Sequence, residues 1–188
     1  MRMRSFILLA LISLLAFLQP YQAYAQTAQP ATPSATPSSS VDYALPYPGI
    51  LPDHPLFFLK TVRDKILILF TRDKMKKSQL YLLLADKHLV MGQLLWEKNK
   101  FELGNSSLNK AENYLLQSVL TLTIDSEGEK NAQGVVDKLE LAVKKHGEIL
   151  LELKTTTVDD AILGAINEAL SITNQAKQKI LTLKSKSS

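Results

Sequence analysis

The sequence predicts an all-α fold, a single bundle of about four to five helices preceded by a proline-rich extended strap. Two observations carry that expectation. From residue 54 onward apolar side chains recur at three- and four-residue spacing, the period of one face of a helix. Three prolines and a glycine within residues 41–52 forbid a helix there and favour an extended strap. A composition of 46% hydrophobic and 21% charged residues is enough to build one core, and 188 residues leave room for one domain once a leader and a linker are set aside.

The chain opens with a pattern expected of a signal peptide over residues 1–25. Arg2 and Arg4 supply a positive start, Phe6 to Leu18 is an apolar run with Ser13 its one polar residue, and Ala23-Tyr24-Ala25 presents small residues at the two positions a signal peptidase reads. Cleavage is expected before Gln26. A run of 13 residues is too short for a stable span of a ~30 Å hydrocarbon core, and an uncleaved anchor is the alternative. Residues 26–40 are almost wholly Ala, Thr, Ser, Pro and Gln, with nothing to bury against the entropy of ordering. This predicts a disordered linker, a spacer or an acceptor of sugars.

The helical domain is expected over residues 41–184. Residues 41–52, VDYALPYPGILP, hold three prolines and a glycine, which forbid a helix and predict the strap. Tyr43, Leu45, Tyr47, Ile50 and Leu51 need cover, either in a groove of the same body or on a partner. Asp53 is expected to cap a helix over about 54–70, with Pro55 in its first turn and Leu59, Val62, Ile66, Leu69 and Phe70 as its apolar stripe. A second helix, about 74–99, is marked by Leu80, Leu83, Leu84, Val90, Met91, Leu94 and Leu95. The third, about 102–123, follows Leu108, Ala111, Leu115, Val119 and Leu122, and a turn is expected at Asp125 to Glu129. The fourth, about 130–154, carries Val135, Leu139, Ala142, Val143, His146, Ile149, Leu150 and Leu153. The fifth, about 158–184, is expected to be capped by Thr157 with Asp160 reaching back. Its stripe of Val158, Ile162, Ala165, Ala169, Ile172, Ala176, Ile180 and Leu183 is close to a heptad seam, which wants a partner inside the bundle or a second copy of the chain.

Composition excludes several chemistries. There is no cysteine, hence no disulfide, thiolate metal site, thiol nucleophile or lipidated N-terminal cysteine. Of 22 Lys and Arg, two lie in the leader, and the other 20 nearly balance 18 acidic groups, so nucleic acid is disfavoured as a partner. No catalytic, cofactor-binding or metal site is expected. The three histidines lack HExxH or a glutamate three residues before them, and no GxSxG, GxGxxG or GxxxxGK[ST] occurs. His54 falls near a helix start, His88 on a mostly polar face, and His146 on the apolar stripe of the fourth helix, where a hydrogen-bonded core role is expected. Asp159-Asp160 suits a first helical turn. Tyr81, Trp96, Phe101 and Tyr114 suit a core or a ligand groove. Arg72, Lys74, Lys76 and Lys77 form the densest basic stretch, with Lys60, Arg63 and Lys65 upstream. They are read either as a solvated helix end or as a contact for an anionic surface.

Residues 41–60, VDYALPYPGILPDHPLFFLK, resemble the opening signature of a family of uncharacterised exported bacterial helical domains, known only as a domain of unknown function. TVRDKILILF, LLLADKHL, NKAENYLLQSV and KKHGEILLEL are similar to later segments of that family, so the likeness covers Val41 to Leu153. The resemblance implies export and a helical fold, and gives Pro46, Pro48, Gly49, Pro52, Asp53 and Pro55 the role of shaping the strap and starting the first helix. It brings no activity or ligand with it.

The expected function is therefore an exported, non-catalytic module in the periplasm, on the cell surface or secreted. It would bind a protein or envelope polymer, with no transmembrane span left after signal cleavage. Electrostatic adsorption to anionic membrane or wall polymer is the alternative, and a metal- or ligand-binding enzyme the third reading.

Overall fold

The computed structural model describes residues 41–122, 129–157 and 159–187. The expected signal peptide, the linker, most of the turn at Asp125 to Glu129, and Val158 lie outside the described residues. Among those described there are five helices and no strand: α1 (Phe57–Phe70), α2 (Lys74–Glu97), α3 (Phe101–Thr121), α4 (Glu129–Thr155) and α5 (Asp160–Ser187). The all-α expectation holds, with boundaries shifted by a few residues.

α2 and α3 form an antiparallel pair. Ser78 meets Ser118 through their hydroxyls at 3.2 Å, and Gly92 backs onto Gly104, so climbing one helix means descending the other. The close approach needs glycine. A methyl at Gly92 would come within 2.5 Å of the Leu108 side chain, and one at Gly104 within 2.5 Å of the Trp96 ring. The tight connection is built on Asn99, whose φ of 57° lies in the left-handed region that asparagine tolerates better than most residues. Its N–H donates to Trp96 O at 2.8 Å, and the Lys100 N–H donates to Leu95 O at 2.8 Å. These bonds satisfy the last carbonyls of α2.

α4 and α5 form the second hairpin. α5 packs on α3 and α4, and α2 also touches α4, which closes a four-helix body. Two apolar clusters fill it, one around Leu82, Leu115, Leu139, Ala176 and Ile180, the other around Leu89, Leu108, Leu150, Ile166 and Ala169. All of this lies within one compact unit, residues 38–188. The stripes expected on α3 and α4 are the buried ones.

Local starts differ from expectation at two helices. α1 begins at Phe57, and its capping residue Leu56 offers no side-chain bond. Asp53 instead accepts from Lys100 at 2.8 Å and pairs with Lys98 at 3.6 Å, while residues up to Leu56 turn through a His54 N–H to Leu51 O bond of 3.0 Å. At α5 the cap is Asp159, whose Oδ1 accepts from the N–H groups of Ala161 and Ile162 at 2.9 and 3.1 Å. Thr157 only accepts from the Asp159 N–H, at 3.3 Å. A carboxylate is favoured over a hydroxyl beside the positive helix end.

The α5 seam follows expectation at Ile162, Ala169, Ala176, Ile180 and Leu183 and departs from it at two positions. Ile166 and Thr173 are buried where Ala165 and Ile172 were expected, alongside Ala169, Ala176 and Ile180. The seam is covered by α3 and α4 within this chain. Of the strap residues, Tyr43 and Leu45 pack on the two clusters and Pro48 is buried, but Tyr47 is 84% exposed.

Candidate docking surface and buried charge network

The largest departure from the sequence expectation is at α1. Its apolar stripe faces solvent: Phe58, Leu59, Val62, Ile66, Leu69 and Phe70 are all exposed, the last two by 75% and 76%. The residues it buries are Lys60 and Asp64. A helix normally gains its place by burying the apolar face, and here the polar one is turned inward.

The buried side of α1 makes specific contacts. Lys60 Nζ lies 3.7 Å from Asp64 Oδ2 and 3.8 Å from the Met91 sulfur, and 5.4 Å from the centre of the Phe57 ring. Burial, only partly offset by Asp64, lowers the Lys60 ammonium to about 8. Arg63 donates to Asp64 Oδ1 through Nε and Nη2, at 3.1 and 2.8 Å. Beneath them His88 is buried, not on a polar face. Its ring sits edge-on to Phe57 at 6.3 Å and tilted against Tyr114 at 5.6 Å. Burial, helped by the charge on Lys60, pushes His88 down to about 3, so it is a neutral, packed ring.

The basic stretch follows at the α1–α2 junction. Arg72, Lys74 and Lys76 are exposed and Lys77 is half-buried. Asp73 caps α2 by accepting from the Lys76 N–H at 2.7 Å. The three lysines occupy the first turn of α2, which contains no acidic residue, although the helix dipole favours anions there. From Phe57 to Lys77 the chain carries seven cations and two carboxylates.

A second polar feature lies inside the bundle. His146 of α4 is fully buried; its Nδ1 is 2.8 Å from Glu112 Oε1 on α3 and its Nε2 3.1 Å from Asp86 Oδ1 on α2. Thr173 of α5 donates to Glu112 Oε2 at 2.7 Å, and Tyr43 of the strap donates to Asp86 Oδ2 at 2.7 Å. Burial alone would discharge the imidazole, but Glu112 and Asp86 outweigh it and raise His146 to about 9. Burial and the Asp86 charge push the Tyr43 phenol up as well. The ring is thus an imidazolium donating from both nitrogens, tying four helices and the strap at one point. Its nitrogens serve two different carboxylates and do not converge on a common point, and no cluster of metal-ligating side chains occurs among the described residues. A groove lined by Gln79, Leu82, Leu83, Gly134, Val135 and Lys138 reaches Asp86 from outside, yet both oxygens of Asp86 are already engaged.

Sequence reading placed His146 in the core but missed Asp86 and Glu112 as its partners. The signal was present: Glu112 lies between Ala111 and Leu115 on the α3 stripe, and Asp86 interrupts the apolar run of α2. A carboxylate in a buried phase needs a cation or donors. The aromatic residues are packing elements: Trp96 meets Phe101 edge-on at 5.3 Å, and Tyr81 stacks on Tyr114 at 6.0 Å.

A model of a family described as a domain of unknown function, DUF5667, matches residues 49–187. The chain belongs to that family. The match begins inside the strap at Gly49 and runs through α5, a helix that the resemblance read from the sequence did not reach, while residues 41–48 fall outside it. No curated protein and no solved structure matches the chain. None of its described helices is long and apolar enough to cross a membrane.

Proposed function

We propose that this chain is an exported, non-catalytic helical module that docks through α1 onto another macromolecule of the cell envelope or its surroundings. The observation that carries the reading is the outward-facing stripe of Phe58, Leu59, Val62, Ile66, Leu69 and Phe70. Single exposed apolar residues are ordinary, but a contiguous row on one helix marks an interaction site. The other strongly perturbed groups support a structural role: His146, Asp86 and Glu112 are engaged with one another inside the bundle. The cations of the α1–α2 junction add attraction for an anionic partner.

The test is retention of residues 41–188 on isolated envelope from the source cell. Leu69→Gln with Phe70→Gln is expected to abolish retention, and Leu151→Gln, at an exposed leucine on α4, to leave it unchanged. Equal retention of all three proteins would overturn α1 as the docking element.

A further inference from the structure

We infer that the surface received by α1 is an anionic lipid bilayer, with the helix lying in the interface plane, apolar side down. This deepens the docking reading above and rests on it. At 100° per residue, the six exposed apolar side chains fall within an arc of roughly 120°, opposite Lys60 and Asp64. Lys65 lies just outside one edge of that arc and Arg63, which also holds Asp64, just outside the other, both exposed. Apolar residues flanked by long cationic side chains suit a helix at the headgroup boundary, where the stems stay in the apolar layer and the charges reach the phosphates. The flank continues through Arg72, Lys74 and Lys76, exposed at the C-terminal end of the arc.

Four considerations select this partner over others. Fourteen residues make a helix about 21 Å long, too short to cross a ~30 Å core and suited to lie in the plane. The lysines at the start of α2 oppose their own helix dipole, so helix stability does not explain them, whereas an external anion does. A second copy stacked on α1 would bring Arg63 and Lys65 of one chain against Lys65 and Arg63 of the other in an antiparallel crossing, and would add Arg72, Lys74 and Lys76 against their own counterparts in a parallel one. A polyanionic wall polymer would meet the cations and leave the six apolar side chains in water.

The experiment is flotation of residues 41–188 with vesicles of phosphatidylcholine alone or mixed with phosphatidylglycerol, across a salt series. Binding is expected only with phosphatidylglycerol present, and to weaken as salt rises. Lys65→Gln, Lys74→Gln and Lys76→Gln together should reduce partitioning on the order of 100-fold, at roughly a factor of five per cation. Leu69→Gln with Phe70→Gln should reduce it by about 100-fold or more with the charge unchanged. A tryptophan in Phe70→Trp should shift to the blue on binding, against the fixed background of the buried Trp96. All the altered side chains are exposed, so each variant should melt with the parent. Failure to float with phosphatidylglycerol vesicles at low salt, or indifference to the Leu69 and Phe70 changes, overturns the lipid assignment. If envelope retention still depends on Leu69 and Phe70, the docking reading survives with a protein as partner. Sedimentation as a dimer that those changes dissolve would name a second copy instead.

Discussion

Raising the pH from 6.5 to 9.5 is expected to weaken the fold by about 3 kcal/mol through His146 alone. The imidazolium has an ordinary value of 6.5 when unfolded and about 9 in the bundle. The folded state therefore holds its proton more tightly. A raised folded value gives stability that is fully present below 6.5 and disappears as pH climbs through 9, by about 1.4 kcal/mol for each unit between them. The physical reason is that a neutral ring has one N–H for two carboxylates, so either Asp86 or Glu112 would face a lone pair in a site where His146 and Glu112 are wholly buried. Lys60 works in the opposite direction. Burial lowers it to about 8, so between 8 and its unfolded value stability rises with pH. Urea unfolding should accordingly be followed on a Lys60→Met background at constant ionic strength. Nitrogen-15 NMR of the ring should report both nitrogens protonated at pH 8. A stability flat between pH 7 and 9.5, or a ring already neutral at pH 7.5, would refute the clamped imidazolium.

Glu112→Ala should cost about 3–5 kcal/mol, since it strips a buried cation of one partner; denaturant midpoints check this, and a cost below 1 kcal/mol would deny the pair its weight. Tyr43→Phe, which removes the bond to Asp86, should cost about 1–2 kcal/mol and speed protease cleavage within residues 41–56. Gly104→Ala should destabilise by about 1–3 kcal/mol in thermal melts despite the better helix propensity of alanine, because the methyl meets the rigid Trp96 ring at 2.5 Å. The pairs of Glu140 with Lys184 and Lys144, which hold its carboxyl down to about 2, add stability that is present above 4.5 and lost as pH falls towards 2. They are part-exposed, so Glu140→Gln should cost less than about 1 kcal/mol at pH 7.

What the sequence made legible follows from which forces act alone. The stripes of α3 and α4 read correctly because apolar periodicity and burial coincide there. The α5 seam departs at Ile172 because one polar residue had a task that periodicity cannot show: Thr173 is buried in its place, where it donates to Glu112. His146 was legible as a core residue, yet its charge state was not, since that depends on two carboxylates 34 and 60 positions away. The caps missed at Asp53 and Thr157 have a common origin. Each residue had a competing partner, Lys98 and Lys100 for the first and the Asp159 N–H for the second, and local propensity does not rank such rivals.

α1 is the instructive failure, because its periodicity was read correctly and its orientation was not. A stripe at helical spacing states only that its residues share a face. That the face belongs inward is an added assumption, valid when the chain itself supplies the cover. Here the four-helix body is closed by α2 to α5, and α1 meets it through Lys60 and Asp64. Burying a large apolar side chain contributes about 1.5–3 kcal/mol, so six left 43–76% exposed amount to a large stabilisation that this fold leaves unused. A partner that covers them gains it, and a bilayer can do so without reshaping the bundle beneath.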